Sequence, residues 1–264
     1  MTVSYHNHTR WSDGSCTVAE QITAAKELGL DEVGISDHYV LSPSGQPVSW
    51  SMPLDRLGEY TAEVREAAAS AHGIAVRLGV EADFFPETVE TLRATLALHP
   101  FDYVIGSVHY VDGFPIDGHA RDWDALTPEQ VEETWALYWM RIRQMAENRA
   151  FDFAAHLDLP KKFGFRPSRD LSTEWNAALD AIAAADMAIE INTAGWSLPA
   201  QEAYPSLELL RASRHRNIPL LINADAHTPK VLTRDFKPAR ALAREAGYTE
   251  LVRYERRQRF PIPL

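Results

Sequence analysis

The sequence predicts an α/β fold, a TIM-like β/α barrel that forms a single domain. Short β-rich runs alternate with longer helical patterns, which is typical of parallel strands joined by crossover helices. A chain of 264 residues is long enough for one such barrel. We find no low-complexity linker, charge block or short-period repeat that would mark a domain boundary. Residues 1–264 are therefore expected to form one domain.

Seven segments have the composition of buried strands, and an eighth, residues 250–254, shows the pattern less clearly. Each is short enough for a strand and is bounded by polar or turn-forming residues. The seven clear segments are residues 3–6, 32–37, 75–81, 103–108, 151–156, 187–192 and 219–223.

Helix signals occupy the intervals between these strands. Thr17 with Glu20 has the pattern of a capping box at the start of a helix. Thr127 with Gln130 repeats that pattern. Residues 54–71 are rich in strong helix formers and end just before a glycine. Further helices are expected over residues 87–98, 173–185 and 205–215.

Charge and cysteine content narrow the function classes. A net charge of −11 provides no basic surface for a phosphate backbone, so a stable nucleic-acid partner is not expected. Cys16 is the only cysteine, which excludes an intrachain disulfide and fits a reducing compartment. The N-terminus does not resemble a signal peptide, and no stretch has the roughly 20 apolar residues that span a bilayer. We expect a cytoplasmic protein without a membrane partner; its oligomeric state stays open.

Metal-binding residue types occur at the end of strand after strand. The C-terminal ends of barrel strands converge on one face, so these side chains are expected to meet. His6 and His8 point to the same side of an extended chain, as do Asp225 and His227, because side chains repeat with period two. Imidazoles mixed with carboxylates suit Zn²⁺, Mn²⁺ or Fe. The candidates are His6, His8, His38, Glu81, His109, His156, Asp225 and His227.

Any of these histidines taken alone would more often be a structural residue, and only their joint placement favours ligation. Asp13 lies in an Asp-Gly turn pattern just after the first strand, where ligation is the favoured reading. His119 lies in the long loop after the fourth strand, and its role is left open. Near predicted helix ends, where a histidine can interact with free carbonyls, a structural role is expected for His72, His99 and His215.

Taken together, these motifs resemble those of the PHP family, named for polymerase and histidinol phosphatase, over nearly the whole chain. Segments 106–117, 156–163 and 190–195, with Tyr204-Pro-Ser206, resemble its histidinol phosphatase branch. The family motifs are His6-x-His8, Ser12-Asp13-Gly14, Ser36-Asp37-His38, Gly79-Val-Glu81, Gly106-Ser-Val-His109, Ala155-His156-Leu-Asp158 and Asn223-Ala-Asp225-Ala-His227.

The resemblance implies a distorted seven-stranded β/α barrel that binds two to three divalent metal ions. It also implies a division of the ligands among these ions. The first ion would be bound by His6, His8, Glu81 and Asp225. The second would share Glu81 and add His109 and His156, and the third would be bound by Asp13, His38 and His227.

The predicted activity is hydrolysis of a small phosphorylated substrate, L-histidinol phosphate, to L-histidinol and inorganic phosphate in histidine biosynthesis. The expected nucleophile is a hydroxide that bridges two metals, which makes Glu81 a catalytic residue through its bridging position. Asp37, His119 or metal-bound water would supply the proton to the leaving group. One alternative is a phosphoesterase of the same family that acts on nucleotides or short oligonucleotides. A non-catalytic metal-binding barrel is the third possibility.

One feature departs from the pattern expected for the histidinol phosphatase branch. A basic residue is expected soon after Asn192-Thr-Ala-Gly195, but Trp196-Ser197 follows instead. Three basic residues after the fifth strand are candidates for substrate binding in its place, with solvated surface residues as the competing interpretation. They are Lys161, Lys162 and Arg166.

Overall fold

Parallel strands alternate with helices along most of the chain in the computed structural model, which describes residues 1–264. The strands are β1 (Val3–Ser4), β2 (Glu32–Ile35), β3 (His38–Tyr39), β4 (Ala75–Leu78), β5 (Glu81–Asp83), β6 (Ile105–Ser107), β7 (Tyr110–Val111), β8 (Phe114–Pro115), β9 (Phe153–Ala154), β10 (Ala188–Asn192), β11 (Leu220–Asn223), β12 (Glu250–Glu255) and β13 (Gln258–Pro263). The α/β class predicted from the alternation is confirmed.

Eight α-helices connect or flank the strands. They are α1 (Val18–Glu27), α2 (Leu57–Ser70), α3 (Val89–Leu96), α4 (Ala120–Asp124), α5 (Pro128–Asn148), α6 (Ser172–Ala184), α7 (Leu207–His215) and α8 (Phe236–Glu245). Short 3₁₀ segments cover Leu54–Arg56, Leu159–Phe163, Thr193–Ser197 and Pro229–Val231. None of the helices has the length and apolarity that crossing a membrane requires.

Two parallel sheets bring the strands together. One has the strand order β1-β2-β4, and the other has the order β11-β10-β9-β6-β5-β3. The chain passes from the first sheet to the second twice, from β2 to β3 and from β4 to β5. Just beyond β1 and β11, Asn7 and Ala226 form a parallel bridge between the two sheets. The strand ends that carry polar residues therefore lie on one side of the molecule.

Each of the seven predicted parallel segments contains a strand, but the strands are shorter than predicted. The segments 32–37 and 75–81 are both interrupted, and the Tyr60 side chain explains the interruption. Its hydroxyl lies 2.9 Å from the Ile35 carbonyl oxygen and 2.7 Å from that of Gly79. The hydroxyl thus stands between the Asp37 N–H, at 3.4 Å, and the Gly79 carbonyl, which a continuous ladder would pair with each other. The Ile35 carbonyl still accepts from the Gly79 N–H at 2.8 Å.

The eighth segment exists but does not belong to the parallel series. Strand β12 pairs antiparallel with β13, from Glu250 opposite Pro263 to Glu255 opposite Gln258. The connection is the two-residue turn Arg256-Arg257, with φ of 50° and 62°. Two positive φ values in a two-residue loop match the twist of a tight hairpin.

Both predicted capping boxes are confirmed, at Thr17 with Glu20 and at Thr127 with Gln130. The helices predicted over 54–71, 87–98, 173–185 and 205–215 are present with shifted ends. Helix α8 was not predicted. Its third residue, Pro238, reads as a helix breaker in the sequence, yet proline is tolerated in the first turn, where its missing N–H has no partner to lose.

A cluster of 72 buried apolar residues forms the core. Tyr103 lies near its centre, fully buried, and its hydroxyl donates to the Tyr5 carbonyl oxygen at 2.5 Å. Glycines make room for this ring: a Cβ at Gly34 would lie 2.0 Å from the Tyr103 hydroxyl, and one at Gly79 would lie 2.2 Å from its Cζ. Tyr103 thus fixes the relative positions of β2, β4 and the chain after β1.

Candidate metal centre

All of the side chains predicted as metal ligands meet at the strand ends. They form four overlapping groups, and within each group the potential ligand atoms lie within 4.8 Å of one another. Strand register brings some of them together, because β3 pairs with β5 so that His38 lies beside Glu81. The members of the groups are His6, His8, Asp13, His38, Glu81, His109, His156, Asp225 and His227.

Glu81 is the centre of the cluster and is fully buried. Its Oε2 lies 3.0 Å from His6 Nε2 and 2.8 Å from His38 Nδ1. Its other oxygen, Oε1, lies 3.1 Å from His156 Nε2 and 3.7 Å from His109 Nε2. One carboxylate therefore faces two groups of imidazoles, which is the arrangement of a bridging ligand.

Asp225 and Asp13 define the other side of the cluster. Asp225 Oδ1 lies 3.2 Å from His8 Nε2 and 3.6 Å from His6 Nε2. The two oxygens of Asp13 face His227 Nε2 at 3.2 Å and His38 Nε2 at 3.7 Å. The His8 ring stacks between those of His38 and His227, with centroids 4.2 and 4.3 Å away. His8 and His38 each belong to two of the four groups. The potential ligand atoms therefore form one connected cluster rather than separate sites.

The buried polar atoms of this cluster fit metal ions. Buried nitrogen and oxygen atoms in proteins normally have hydrogen-bond partners. Here several form no hydrogen bond of acceptable angle, although they lie close to one another; they include His6 Nε2, both nitrogens of His8, His38 Nδ1 and Glu81 Oε2. Imidazoles and carboxylates converge with free lone pairs, which is the donor set that borderline divalent cations prefer.

The protonation states of Glu81, Asp225 and His8 suit ligation. Burial raises the pKa of Glu81, but the charges of His6 and His38 outweigh it and hold the pKa well below the ordinary value. Asp225 behaves in the same way. Burial and the charges of His38 and His227 lower the pKa of His8 to about 3. Ionised carboxylates and a neutral imidazole are the forms that bind a metal. For three other histidines of the cluster, the effect of burial is outweighed by nearby carboxylates, which raise the pKa; they are His6, His109 and His227.

An outer layer of hydrogen bonds orients the ligands. Glu190, fully buried in the middle of β10, accepts from His6 Nδ1 at 3.0 Å and from the His156 backbone N–H at 2.9 Å. The amide of Asn192 donates to Glu190 at 2.9 Å and to Asp225 at 3.1 Å. Such contacts fix the tautomer and direction of each ligand.

Sequence reasoning missed two further residues of this layer. Asp83 Oδ1 lies 2.7 Å from His109 Nδ1, which leaves Nε2 facing Glu81. The Ser107 hydroxyl donates to Glu81 Oε1. Asp83 could have been found from its spacing, because it lies two residues after Glu81 and therefore on the same side of β5. Nothing in the sequence signals Ser107.

A cavity of about 490 Å³ opens onto the cluster. Its lining includes Asp13, His109, His156 and Asp225 of the cluster. Lining residues outside the cluster include Trp50, Asp117, His119, Asp122, Lys162, Leu198 and Tyr204. His119, whose role the sequence left open, is therefore an exposed side chain at the mouth of the site.

Asp37 does not fit the predicted role of proton donor to the leaving group. It is fully buried and does not line the cavity. Its Oδ1 accepts from the Thr9 backbone at 2.7 Å and from the Ser12 hydroxyl at 2.6 Å, and its Oδ2 accepts from the Thr9 hydroxyl at 2.8 Å. All of these bonds hold the loop after β1, which carries Asp13.

The three basic residues after the fifth strand have different environments. Lys161 is fully buried and bonds to Asp158 and Glu202, each at 2.9 Å, so it neither faces the cavity nor is solvated. Arg166 pairs with Glu202 at 3.1 Å and lies outside the cavity lining. Lys162 alone lines the cavity, where its Nζ donates to the Asp117 carbonyl at 2.8 Å.

Comparison with known proteins identifies the same family. A model of the PHP domain matches residues 4–194. A Deinococcus radiodurans protein named "Probable histidinol-phosphatase" is 35% identical over 240 residues, which are 88% of each chain. A histidinol-phosphatase of Lactococcus lactis is 24% identical over 262 residues, covering 96% of this chain and 94% of its own.

A solved structure has the same fold. The histidinol phosphate phosphatase of Lactococcus lactis, crystallised with zinc, L-histidinol and phosphate, superposes with a TM-score of 0.83. It is 22% identical, and the match covers 98% of both chains. Family model, sequence relatives and fold agree, so this chain belongs to the PHP domain family.

Proposed function

We propose that this chain is a metal-dependent phosphomonoesterase that hydrolyses L-histidinol phosphate to L-histidinol and inorganic phosphate. The observation that carries the proposal is the buried cluster of imidazoles and carboxylates with unpaired ligand atoms beneath an open cavity. The names of the Deinococcus and Lactococcus relatives support the substrate. Histidine biosynthesis would then be the pathway served and the cytoplasm its location.

The proposed cofactors are two to three divalent ions, with zinc, manganese or iron as the candidates. His6, His8, Glu81 and Asp225 would bind the first ion, and Glu81 would share the second with His109 and His156. Asp13, His38 and His227 would bind the third. Such ions neutralise the charge of a phosphate and lower the pKa of water, which makes water nucleophilic at neutral pH. Zinc in the Lactococcus structure supports this set.

Residues of the chain itself would perform the remaining tasks. Glu81 holds the two halves of the cluster at a fixed separation through its two oxygens. The Lys162 ammonium group, held by Asp117, attracts the anionic phosphate into the cavity. We assign His119 as donor of the proton that the leaving alkoxide takes up, because it lines the cavity and is exposed enough to be reprotonated by solvent.

We further propose that residues 1–264 form one domain in which the strands close into a distorted TIM-like barrel. The bridge between Asn7 and Ala226 supports closure, since it joins the chain after β1 to the chain after β11. Two backbone hydrogen bonds join the same segments: the His8 N–H donates to the Ala226 carbonyl at 2.9 Å, and the Ala226 N–H donates to the His6 carbonyl at 3.1 Å. The single buried core of 72 residues supports one domain.

Removing and restoring the metal ions tests the activity. Protein treated with a chelator is expected to lose phosphate release from L-histidinol phosphate, and added Zn²⁺ or Mn²⁺ is expected to restore it. Elemental analysis before and after treatment gives the metal content. Full turnover in verified metal-free protein would exclude the proposal, and so would metal-replete protein that hydrolyses no phosphate monoester.

A substrate panel separates the proposed activity from that of a related nucleotide phosphoesterase. Values of kcat/KM are compared for L-histidinol phosphate, nucleoside monophosphates, short oligonucleotides and p-nitrophenyl phosphate. The proposal predicts the highest value for L-histidinol phosphate. A higher value for any nucleotide would assign the second activity instead.

A further inference from the structure

Tyr204 contributes a hydroxyl to this region that no contact within the protein explains. Tyr204 is one of the residues that line the cavity, although it is only 1% exposed. The hydroxyl is buried and has no hydrogen-bond partner. Other buried tyrosines of the chain have one, for example Tyr248, which donates to the Ile218 carbonyl oxygen at 3.1 Å. Buried hydroxyls are seldom left unpaired unless a ligand or a strained state accounts for them.

The ring of Tyr204 is held in a fixed position. Its backbone forms an antiparallel bridge with Asn192, with hydrogen bonds of 2.6 and 3.0 Å. The side-chain amide of that same Asn192 donates to Asp225 at 3.1 Å. On the other side, a Cβ at Gly195 would lie 2.9 Å from Tyr204 Cε2 and 3.1 Å from Cζ, so only glycine allows the ring this position. The backbone of Tyr204 is thereby linked, through Asn192, to the candidate ligand Asp225.

The groups around the Tyr204 hydroxyl indicate which kind of hydrogen-bond partner it suits. Burial, followed by the charges of Asp158, Asp225 and Asp117, raises the pKa of Tyr204, so the hydroxyl stays protonated and can donate. The ammonium group of an amino-alcohol phosphate is a donor only, whereas the phosphate oxygens are acceptors only. A neutral donor in the lining of the same cavity as the candidate metal cluster therefore suits a phosphate oxygen.

The scarcity of positively charged side chains in the cavity also favours a neutral hydrogen-bond donor for the phosphate. Lys162 is the only lysine or arginine in the cavity lining, and its ammonium group already bonds to Asp117. The position where a basic residue was expected is occupied by Trp196 and Ser197, and neither lines the cavity. The phosphate of a substrate would thus need neutral donors in addition to the metals.

We propose that the Tyr204 hydroxyl donates a hydrogen bond to a non-bridging oxygen of the substrate phosphate and so helps to orient it. The inference rests on the proposed function, because it takes a phosphate monoester as the occupant of the cavity. Tyr204 would be a substrate-positioning residue that takes part of the role of the missing basic side chain.

Tyr204→Phe tests the proposal, since it removes only the hydroxyl and keeps the packing of the ring. Inorganic phosphate is titrated into metal-loaded protein by calorimetry, and thermal unfolding is followed in parallel. The dissociation constant for phosphate is expected to rise about tenfold or more, because a hydrogen bond to a charged group is lost. Metal content is expected to stay at the wild-type value, and Tm is expected not to fall.

Tyr248→Phe is the matched control, because it removes a buried hydroxyl that has a backbone partner far from the cavity. It is expected to lower Tm and leave phosphate affinity unchanged. Unchanged phosphate affinity in Tyr204→Phe would overturn the proposal, whether or not Tm falls. If the proposed substrate were wrong instead, wild-type protein would bind phosphate but fail to hydrolyse L-histidinol phosphate, so the two failures are distinguishable.

Discussion

Asp83 lies outside the candidate ligand set but contacts one of its members, His109. Its carboxylate lies 2.7 Å from His109 Nδ1 and is buried with it. Asp83→Asn keeps the shape but removes the charge that orients and polarises the imidazole. We expect a loss of roughly 10- to 100-fold in metal affinity or kcat/KM, measured by competition with a chelator and by phosphate release.

His109→Ala is the comparison for Asp83→Asn, because it removes the candidate ligand itself. It should lose more metal affinity than Asp83→Asn does. If Asp83→Asn bound metal and turned over substrate like the wild type, His109 would not need its buried partner.

The candidate ligands could be predicted one by one, whereas their supporting residues could not. A ligand such as His156 or Asp225 is recognisable because it lies at a strand end among others of its kind. The Ser107 hydroxyl reaches Glu81 only because β5 and β6 are neighbours, in a register that places Ser107 opposite Asp83. The pattern of single residues along the chain does not encode that register. Through-space pairing of distant strands is the missing information.

At the scale of elements, the 3₁₀ segment Leu159–Phe163 directs two neighbouring lysine side chains into different environments. Successive side chains in a 3₁₀ helix point about 120° apart, with three residues per turn. Lys161 therefore turns into the interior while Lys162 faces the cavity. The sequence alone does not distinguish the two lysines, because this short segment has no hydrophobic periodicity from which its buried side could be predicted.

Lys161→Met is expected to destabilise the protein by about 3 kcal/mol, because it leaves the buried Asp158 carboxylate without its cation. Chemical denaturation measures the change in the free energy of unfolding. Lys26→Met on the surface-facing last turn of α1 is the control and should change stability by less than about 0.5 kcal/mol. Equal stability of the two variants would contradict a structural role for the Lys161 ion pairs.

Element positions were predictable to different degrees. The capping boxes of α1 and α5 specify those helix starts locally, and both appear as predicted. Strand ends were less predictable, because the Tyr60 hydroxyl of helix α2 interrupts the ladder that joins β2 to β4. The last predicted strand, β12, pairs with β13 rather than with the parallel strands, because the two-residue turn Arg256-Arg257 places β13 directly beside it.

At the scale of the whole molecule, Tyr103 and its glycine neighbours hold the sheets in register. Gly79→Ala would place a Cβ 2.2 Å from the Tyr103 ring, and a fully buried ring has little space to move. We expect a loss of about 1–3 kcal/mol in the free energy of unfolding, measured by denaturant titration.

Gly58→Ala is the matched control for this substitution. A Cβ there would meet only the His99 ring, at 4.0 Å, and the residue lies in helix α2. Alanine is the better helix former, so this variant should be as stable as the wild type or more stable. Similar stabilities of the two variants would show that Tyr103 can move aside.

The fold class followed from the sequence because alternation of strands and helices is a property of the whole chain. Seven β-rich segments separated by helices leave few arrangements other than parallel strands with crossovers. How the strands divide between two sheets was not predictable, since it depends on short interruptions of two residues, such as Ser36-Asp37 between β2 and β3.

The contact between the two ends of the parallel series has a consequence for the order in which the protein matures. Asp225 and His227 are synthesised more than 200 residues after His6 and His8, since positions 8 and 225 are 217 residues apart. A nascent chain can fold its early segments while the ribosome still holds the rest. The cluster, however, gains its last carboxylate and imidazole only when the seventh parallel segment emerges. Ions captured earlier would meet an incomplete set of donors, so full loading is expected only after that segment has emerged and folded.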